Sequence, residues 1–334
     1  MRICVVHLNQ IGDLAFSLPL LKSLRDGHPG AEIHSVLKPG IGKLLEGSPF
    51  VDRIIPKPGG VRGTLELVRA LRRNSYDLLI SLARSEEAFL LAALSGAGKK
   101  AGFARFPWDL CLDVKETVAG HNSSFNNAKL LRRLEIPVTA ETYVGLLPVS
   151  PDECPEAVPA PYAVFSAGAS PRRLVKAWDE EKFAGLIVEL NARFGLVPVL
   201  VGADDTRESN DRIKDAVGHD PRGRHIAVID LTGRLGLRAL AALLMRAGLF
   251  VGIDSGVMHL ASASDTPVVA LFGPTDPFYV GPQNARSVVV SQDLDCMPCY
   301  LKRTCEDVRC MRGLSMEKVL AACAGLVEGT ARAD

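Results

Sequence analysis

The chain has 334 residues, 47% of them hydrophobic and 23% charged, with a formal net charge of +1. That length exceeds one ordinary core and suits two domains, and the composition is that of a folded globular protein rather than a disordered or fibrous one. No apolar run is long enough to span a bilayer, and Arg2 leads straight into a strand pattern without a leader signature, so a cytoplasmic location is expected, with any membrane association peripheral.

The charge is uneven. Residues 1–150 carry 19 Lys/Arg against 14 Asp/Glu, and residues 151–334 carry 20 against 24. A basic first half can attract an acidic ligand or an anionic membrane surface. Arg69, Arg72 and Arg73 lack interleaved aromatics and read as a solvated helix face, so no nucleic-acid partner is expected.

Ile3–Leu8 reads as a buried strand, Asn9–Asp13 as a short turn and Leu14–Arg25 as a helix. Gly12 lets the backbone approach a ligand, and Asp13 stands at the carboxyl end of a parallel strand, where open α/β sheets bind ligands. Asp is also a favoured N-cap, and one position can serve both purposes. His7 is a weaker candidate base, since strand alternation can turn it into the core. Strands follow at Ile33–Leu37 and Arg53–Ile55, then a Gly-rich loop over 58–63 that holds Arg62. A helix over Leu65–Arg73, a strand over Asp77–Ser81, a helix over Glu86–Leu94, a strand over Lys100–Phe103 and a helix over Ser123–Leu134 complete the half. This alternation implies βαβ units and a parallel sheet.

Pro148, Pro151, Pro155, Pro159 and Pro161 mark an extended linker. A second alternation then begins, with strands over Tyr162–Ser166, Val197–Gly202 and Ala227–Asp230 and helices over Asp179–Phe194, Thr206–Val217 and Leu237–Ala247. Leu249–Ile253 is a strand, Asp254, Ser255 and Gly256 a turn, Val257–Ser264 a helix and Pro267–Phe272 a strand. A helix opening at Ser255, Gly256 and Val257 presents free N–H groups and a positive dipole end, which suits a phosphate, and His259 lies one turn in. An ordinary helix cap after a strand fits the same residues. The last helix covers Met316–Leu326.

Residues 1–40 contain no Gly-x-Gly-x-x-Gly, and the chain has no P-loop and no Gly-x-Ser-x-Gly, which argues against a nicotinamide dehydrogenase, a P-loop enzyme and an elbow-type hydrolase. Cys296, Cys299, Cys305 and Cys310 are spaced C-x2-C-x5-C-x4-C. Four such thiolates can hold a structural zinc, although the spacing is not that of a zinc ribbon and buried reduced thiols fit as well. Asp293-Leu-Asp295 reads as a surface loop.

Ile11-Gly-Asp-Leu14 with Pro19, Ser166-Ala-Gly-Ala169 with Lys176-Ala-Trp178, and Asp254-Ser-Gly-Val-Met-His-Leu-Ala261 with Phe272-Gly-Pro-Thr-Asp-Pro277 stand in an order and separation that resemble the ADP-heptose:lipopolysaccharide heptosyltransferase family of GT-B glycosyltransferases. The cysteines, with Met311, resemble the tail of its heptosyltransferase-II-like members. The resemblance runs from Met1 to about Val319. It implies an α/β fold of the GT-B type, two Rossmann-like domains with parallel sheets facing an interdomain cleft. Residues 1–150 would bind the acceptor, 151–161 form the linker, 162–315 bind the nucleotide sugar, and 316–334 pack a helix back on the N-terminal domain.

The implied activity is inverting transfer of a heptose from ADP-heptose to a lipid-linked acidic core oligosaccharide of lipopolysaccharide, peripheral to the inner face of the plasma membrane, with no cofactor required. Asp13 would be the catalytic base. Ser166, Lys176, Asp254, Ser255, Gly256, Val257 and His259 would bind the donor, with Ser170 beside them. Asp204 and Asp205 are candidates for the ribose, and Leu231-Thr-Gly233 for the base. Arg62 is the candidate acceptor contact. Another nucleotide sugar or glycan, or a non-catalytic nucleotide-sugar-binding protein of the same fold, remains open.

Overall fold

Short runs rich in Val, Ile and Leu that alternate with helices bury both of their faces most readily in a parallel sheet covered on each side. The computed structural model describes residues 1–7, 10–154, 157–168, 171–300, 305 and 307–331, the side chains of 171–173, 330 and 331 excepted. The chain divides into two units after Pro148. The first runs β1 (Arg2–Val6), α1 (Ile11–Gly27), β2 (Glu32–Leu37), α2 (Pro39–Gly42), β3 (Arg53–Pro56), α3 (Gly60–Asn74), β4 (Leu78–Ser81), α4 (Glu86–Leu94), β5 (Lys99–Phe103), β6 (Val114–Glu116) and α5 (Ser123–Arg133). The second runs β7 (Tyr162–Ser166), α6 (Glu180–Phe194), β8 (Val197–Leu200), α7 (Arg207–His219), β9 (Ile229–Asp230), α8 (Leu237–Met245), β10 (Leu249–Ile253), α9 (Gly256–Ala263), β11 (Val268–Phe272), α10 (Pro277–Val280), β12 (Ser287–Ser291), α11 (Arg309–Arg312) and α12 (Met316–Ala331).

Both sheets are parallel and six-stranded, ordered β3-β2-β1-β4-β5-β6 and β12-β11-β10-β7-β8-β9. The two orders are one topology read from opposite edges. In each, the first and fourth strands of the unit lie side by side at the centre, where the winding reverses and such sheets bind their ligands. Asp13 follows β1, Ser166 ends β7, and the 254–259 turn follows β10. These are two Rossmann-like units.

Three local expectations change. The first helix begins at Ile11, not Leu14, so Gln10 takes the cap position and Asp13 lies inside the first turn. The third helix begins at Gly60, so Arg62 sits on a helix rather than in a Gly-rich loop. The Pro-rich stretch is not wholly extended: Ser150 closes a capping box on a 3-10 turn over Pro151–Glu153, and Glu153 accepts two 2.6 Å hydrogen bonds from Arg238 on α8. That bidentate pair attaches the start of the expected linker to the second unit.

The last helix joins the core of its own unit. Val319, Leu320 and Cys323 of α12 are buried there, beside Phe183, Leu186 and Ile187 of α6. The strands of the second sheet need cover on this face, and α12 supplies it with its own apolar stripe. No helix among the described residues is long and apolar enough to cross a membrane. Leu320→Ala should therefore destabilise the second unit by about 2–5 kcal/mol. Hydrogen exchange resolved by peptide should show faster opening of β10–β12 and unchanged protection of β1–β5.

Candidate active site

In the first unit, Asp13 lies in the first turn of α1, where the helix dipole favours a negative charge. It lines a pocket of about 220 Å³ with Arg84, Phe103, His121, Asn126 and Asn127. Arg84 is exposed at this pocket and forms none of the ion pairs found among the described residues. Asn126 is buried and knits the loop before α5: its Oδ1 accepts from Ala119 N–H at 2.7 Å, and its Nδ2 donates to the carbonyls of His121 and Asn122 at 2.9 Å. His121 Nδ1 accepts from Asn122 N–H at 2.9 Å, which places the proton of the neutral ring on Nε2, a donor. Asn127 donates to Phe16 O at 3.1 Å and so ties α5 to α1. Neither Arg84 nor His121 stood out in the sequence, since nothing in their spacing relates them to Asp13.

His7 is no base. It is fully buried, and desolvation pushes its pKa down to about 3. Ser17 Oγ donates to Leu14 O at 2.7 Å, so His7 Nδ1–H donates to Ser17 Oγ at 2.9 Å, and Nε2 accepts from Ser35 at 3.1 Å. Arg62 does not line the Asp13 pocket. It is almost fully exposed on α3 and pairs with Glu66 at 3.2 Å.

In the second unit, Lys176 closes a 3-10 turn over Pro171–Lys176 and is nearly buried. Its ammonium pairs with Asp254 of the turn after β10. Thr275 Oγ1, in the loop after β11, donates to the same Asp254 Oδ2 at 2.6 Å. Ser255 caps α9, its Oγ accepting from Met258 N–H at 3.4 Å. The amides of Gly256 and Val257 thus open the helix at its positive end. His259 is buried in the same helix, and its pKa falls to about 4, chiefly by desolvation, with Asp254 opposing and Lys176 reinforcing the shift. Ser166 is buried at the end of β7.

Trp178, two residues after Lys176, is anchored in the core. Its ring is buried, meets Phe183 edge-on at 4.8 Å, and donates through Nε1 to Leu314 O at 2.9 Å. Gly273 is fixed by contact: a β-carbon there would stand 2.6 Å from Met311 Sδ and 2.9 Å from Cys310 Sγ. Asp204 is exposed and pairs with Arg207 at 2.7 Å, while Arg207 also donates to Thr232 O at 2.9 Å. Ser170 lies outside the described residues.

The cysteines do not form a ligand set. Cys310 packs into the core beside Gly273, and burial pushes its thiol pKa up, with Cys299, Cys305 and Cys296 adding to the shift. Cys296 and Cys305 are exposed, and none of the eight cysteines is in a disulfide bond. Among the described residues no group of three His, Cys, Asp or Glu side chains is placed to hold a metal ion. Asp293 and Asp295 lie exposed after β12, a strand that the sequence reading did not separate from its loops.

A model of glycosyltransferase family 9 (heptosyltransferase) matches residues 64–308. The chain belongs to this family. It is a glycosyltransferase. Lipopolysaccharide heptosyltransferase 1 of Pseudomonas aeruginosa is 27% identical over 322 residues, covering 91% of this chain and 87% of its own length. Lipopolysaccharide heptosyltransferase 3 of Escherichia coli is 27% identical over 294 residues, covering 81% of this chain and 82% of its own. The structure of ADP-heptose lipopolysaccharide heptosyltransferase II of Escherichia coli shares the fold, with a TM-score of 0.81 at 21% identity and 99% of each chain covered.

Two buried neutral imidazoles give this glycosyltransferase a pH signature. The ordinary His value is 6.5, and the folded values are about 3 for His7 and about 4 for His259. Below 6.5 the unfolded chain takes up protons that the folded chain refuses, so this stability is whole above 6.5 and is lost as pH falls towards the folded values. Within that window each His costs up to about 1.4 kcal/mol per pH unit. Urea midpoints between about pH 6.5 and 5, above the carboxylate range, should fall with pH, and His7→Gln should roughly halve the slope.

Proposed function

We propose that this enzyme transfers a heptose from ADP-heptose to an acidic, lipid-linked sugar of the lipopolysaccharide inner core, on the cytoplasmic side, with inversion at the anomeric carbon. The observation that carries the reading is Asp13 in one pocket with Arg84 and His121, in a chain of the heptosyltransferase family. The names of the relatives supply the donor and acceptor classes.

The first unit holds the acceptor in this reading. The Asp13 carboxylate takes the proton of the attacking hydroxyl as its oxygen bonds to the anomeric carbon. Arg84 meets an acidic group of the acceptor, and His121 Nε2–H donates to a sugar oxygen. The bond between the anomeric carbon and the β-phosphate oxygen breaks, and ADP leaves with that electron pair. In the second unit the amides of Gly256 and Val257 face the diphosphate, and Lys176 keeps donors to spare beyond its bond to Asp254. The chain's own groups supply the positive potential, so neither a cofactor nor a metal ion enters the proposal.

Asp13→Asn should lower kcat by about 10²–10⁴-fold and leave ADP affinity, read by titration calorimetry, unchanged. A kcat close to wild type would remove Asp13 from the chemistry. Arg84→Ala should raise the acceptor KM by roughly tenfold and leave the donor KM alone. Binding of ADP without transfer by the wild type, across donors and acceptors, would favour the non-catalytic reading.

Lys176 has two ways to matter: touching the phosphate, or neutralising Asp254. Lys176→Ala leaves a nearly buried carboxylate facing an incoming anion, so ADP affinity should fall by more than one lost hydrogen bond explains, beyond about tenfold. Lys176→Ala/Asp254→Asn should recover part of that loss. Full recovery would mean that Lys176 never touches the phosphate, and no recovery would mean that Asp254 does not act on the anion.

A further inference from the structure

The layer of α3, α4 and the turn over 106–111 covers one face of the first sheet, its inner residues Leu67, Leu71, Phe89 and Leu112 joining a common core. Its parts are stitched together. Thr64 donates to Glu87 at 3.2 Å, Arg72 Nε donates to Leu94 O at 2.7 Å, and Cys111 Sγ donates to Phe89 O at 3.5 Å. The outer side of this layer is apolar where a solvated surface would be polar. Val61 is 80% exposed, Leu65 49% and Leu90 48%, and the neighbouring turn exposes Phe106, Trp108 and Leu110. Val61 and Leu65 are one helical turn apart, outside the stripe that α3 buries in the core.

Between α3 and α4 lies a cavity of about 500 Å³, walled by Val61, Leu65 and Leu90. The nearly buried Lys57 at this cavity is neutralised by Glu87 at 2.8 Å, so the interior suits apolar matter. Its surroundings carry positive charge. Lys38 stands exposed beside it, and α3 exposes Arg62, Arg69, Arg72 and Arg73 against the single acid Glu66. Apolar side chains ringed by exposed cations match the interface of an anionic bilayer, where the side chains enter the acyl boundary and the cations meet phosphate headgroups. A second copy fits less well, because a two-fold contact would set these cationic faces against each other.

We propose that the α3–α4 layer docks this enzyme on an anionic lipid bilayer, with Val61, Leu65 and Leu90 inserted and the α3 arginines on the headgroups. The inference gives the lipid-linked acceptor a place to be met, but its test does not depend on that reading. Co-sedimentation should show binding to phosphatidylcholine vesicles containing phosphatidylglycerol, little binding to phosphatidylcholine alone, and release by salt. Leu65→Asp/Leu90→Asp should weaken vesicle binding by about tenfold or more, and Arg69→Glu/Arg73→Glu should abolish the preference for anionic lipid. Both pairs are exposed, so the thermal transition should stay at its wild-type position. Transfer to a short, water-soluble acceptor should also be unchanged in both, which separates docking from catalysis.

The chain has two tryptophans, and Trp178 is buried. Brominated lipid should therefore quench Trp108 alone, and Trp108→Phe should remove the quenching. Three results would overturn the proposal: no binding to anionic vesicles, binding that survives both pairs of substitutions, or a dimer by light scattering that Leu65→Asp/Leu90→Asp converts to monomer. The last would assign the face to a second copy.

Discussion

A buried ammonium or carboxylate without a partner would give up its charge rather than keep it. Lys176 and Asp254 meet each other in a nearly buried pair, and much of the second unit is arranged so that they can. β7, β10 and β11 are neighbours in the sheet. The loops at their carboxyl ends bring Lys176 and Thr275 to the one carboxylate of Asp254. The pair is weak evidence for stability, since an apolar pair of similar volume can be as stable. What it provides is registry: three loops from three strands share one arrangement at the mouth of α9. Trp178 and Gly273 extend that arrangement outward to Leu314 and Met311, so the segment before α12 is part of the support of the anion-facing loops.

The first unit solves the corresponding problem with neutral groups. Asn126 satisfies the loop carrying His121 by accepting from Ala119 N–H and donating to the carbonyls of His121 and Asn122, and Asn127 and Ser124 both donate to Phe16 O on α1. Amide networks of this kind hold geometry without adding charge, which leaves Asp13 and Arg84 as the charged groups at the Asp13 pocket. A buried ion pair shared among loops in one unit, and amide networks around the charged groups in the other, is the contrast between the two sites.

The sequence made the alternation of elements legible because helix and strand differ in apolar period, and Glu86–Leu94, Tyr162–Ser166 and Leu249–Ile253 fall where that period places them. It blurred where the period is short or the chemistry is mixed. β6 is three residues, Val-Lys-Glu, and β12 follows a polar turn. Helix starts were placed late at Ile11 and Gly60 because Gly and Asp near a start read as turn. The motif residues around Asp254 were visible as a group. Their division of labour was not, because Thr275 and Lys176 reach Asp254 only through the sheet order. Arg84 and His121 come to Asp13 in the same way, from after β4 and before α5.

Gly273 carries a consequence for how this chain can change over evolutionary time. The space that a β-carbon would need is already filled by Met311 Sδ and Cys310 Sγ, contributed by a segment almost forty residues later. A drift from Gly273 to alanine is therefore closed while Met311 is present, and a drift from Met311 to a smaller side chain opens a hole at the loop that carries Thr275. The two positions are an epistatic pair. Cys310 shares the constraint, because its Sγ would also stand 2.9 Å from that β-carbon, so a path to alanine at 273 needs room at both 310 and 311.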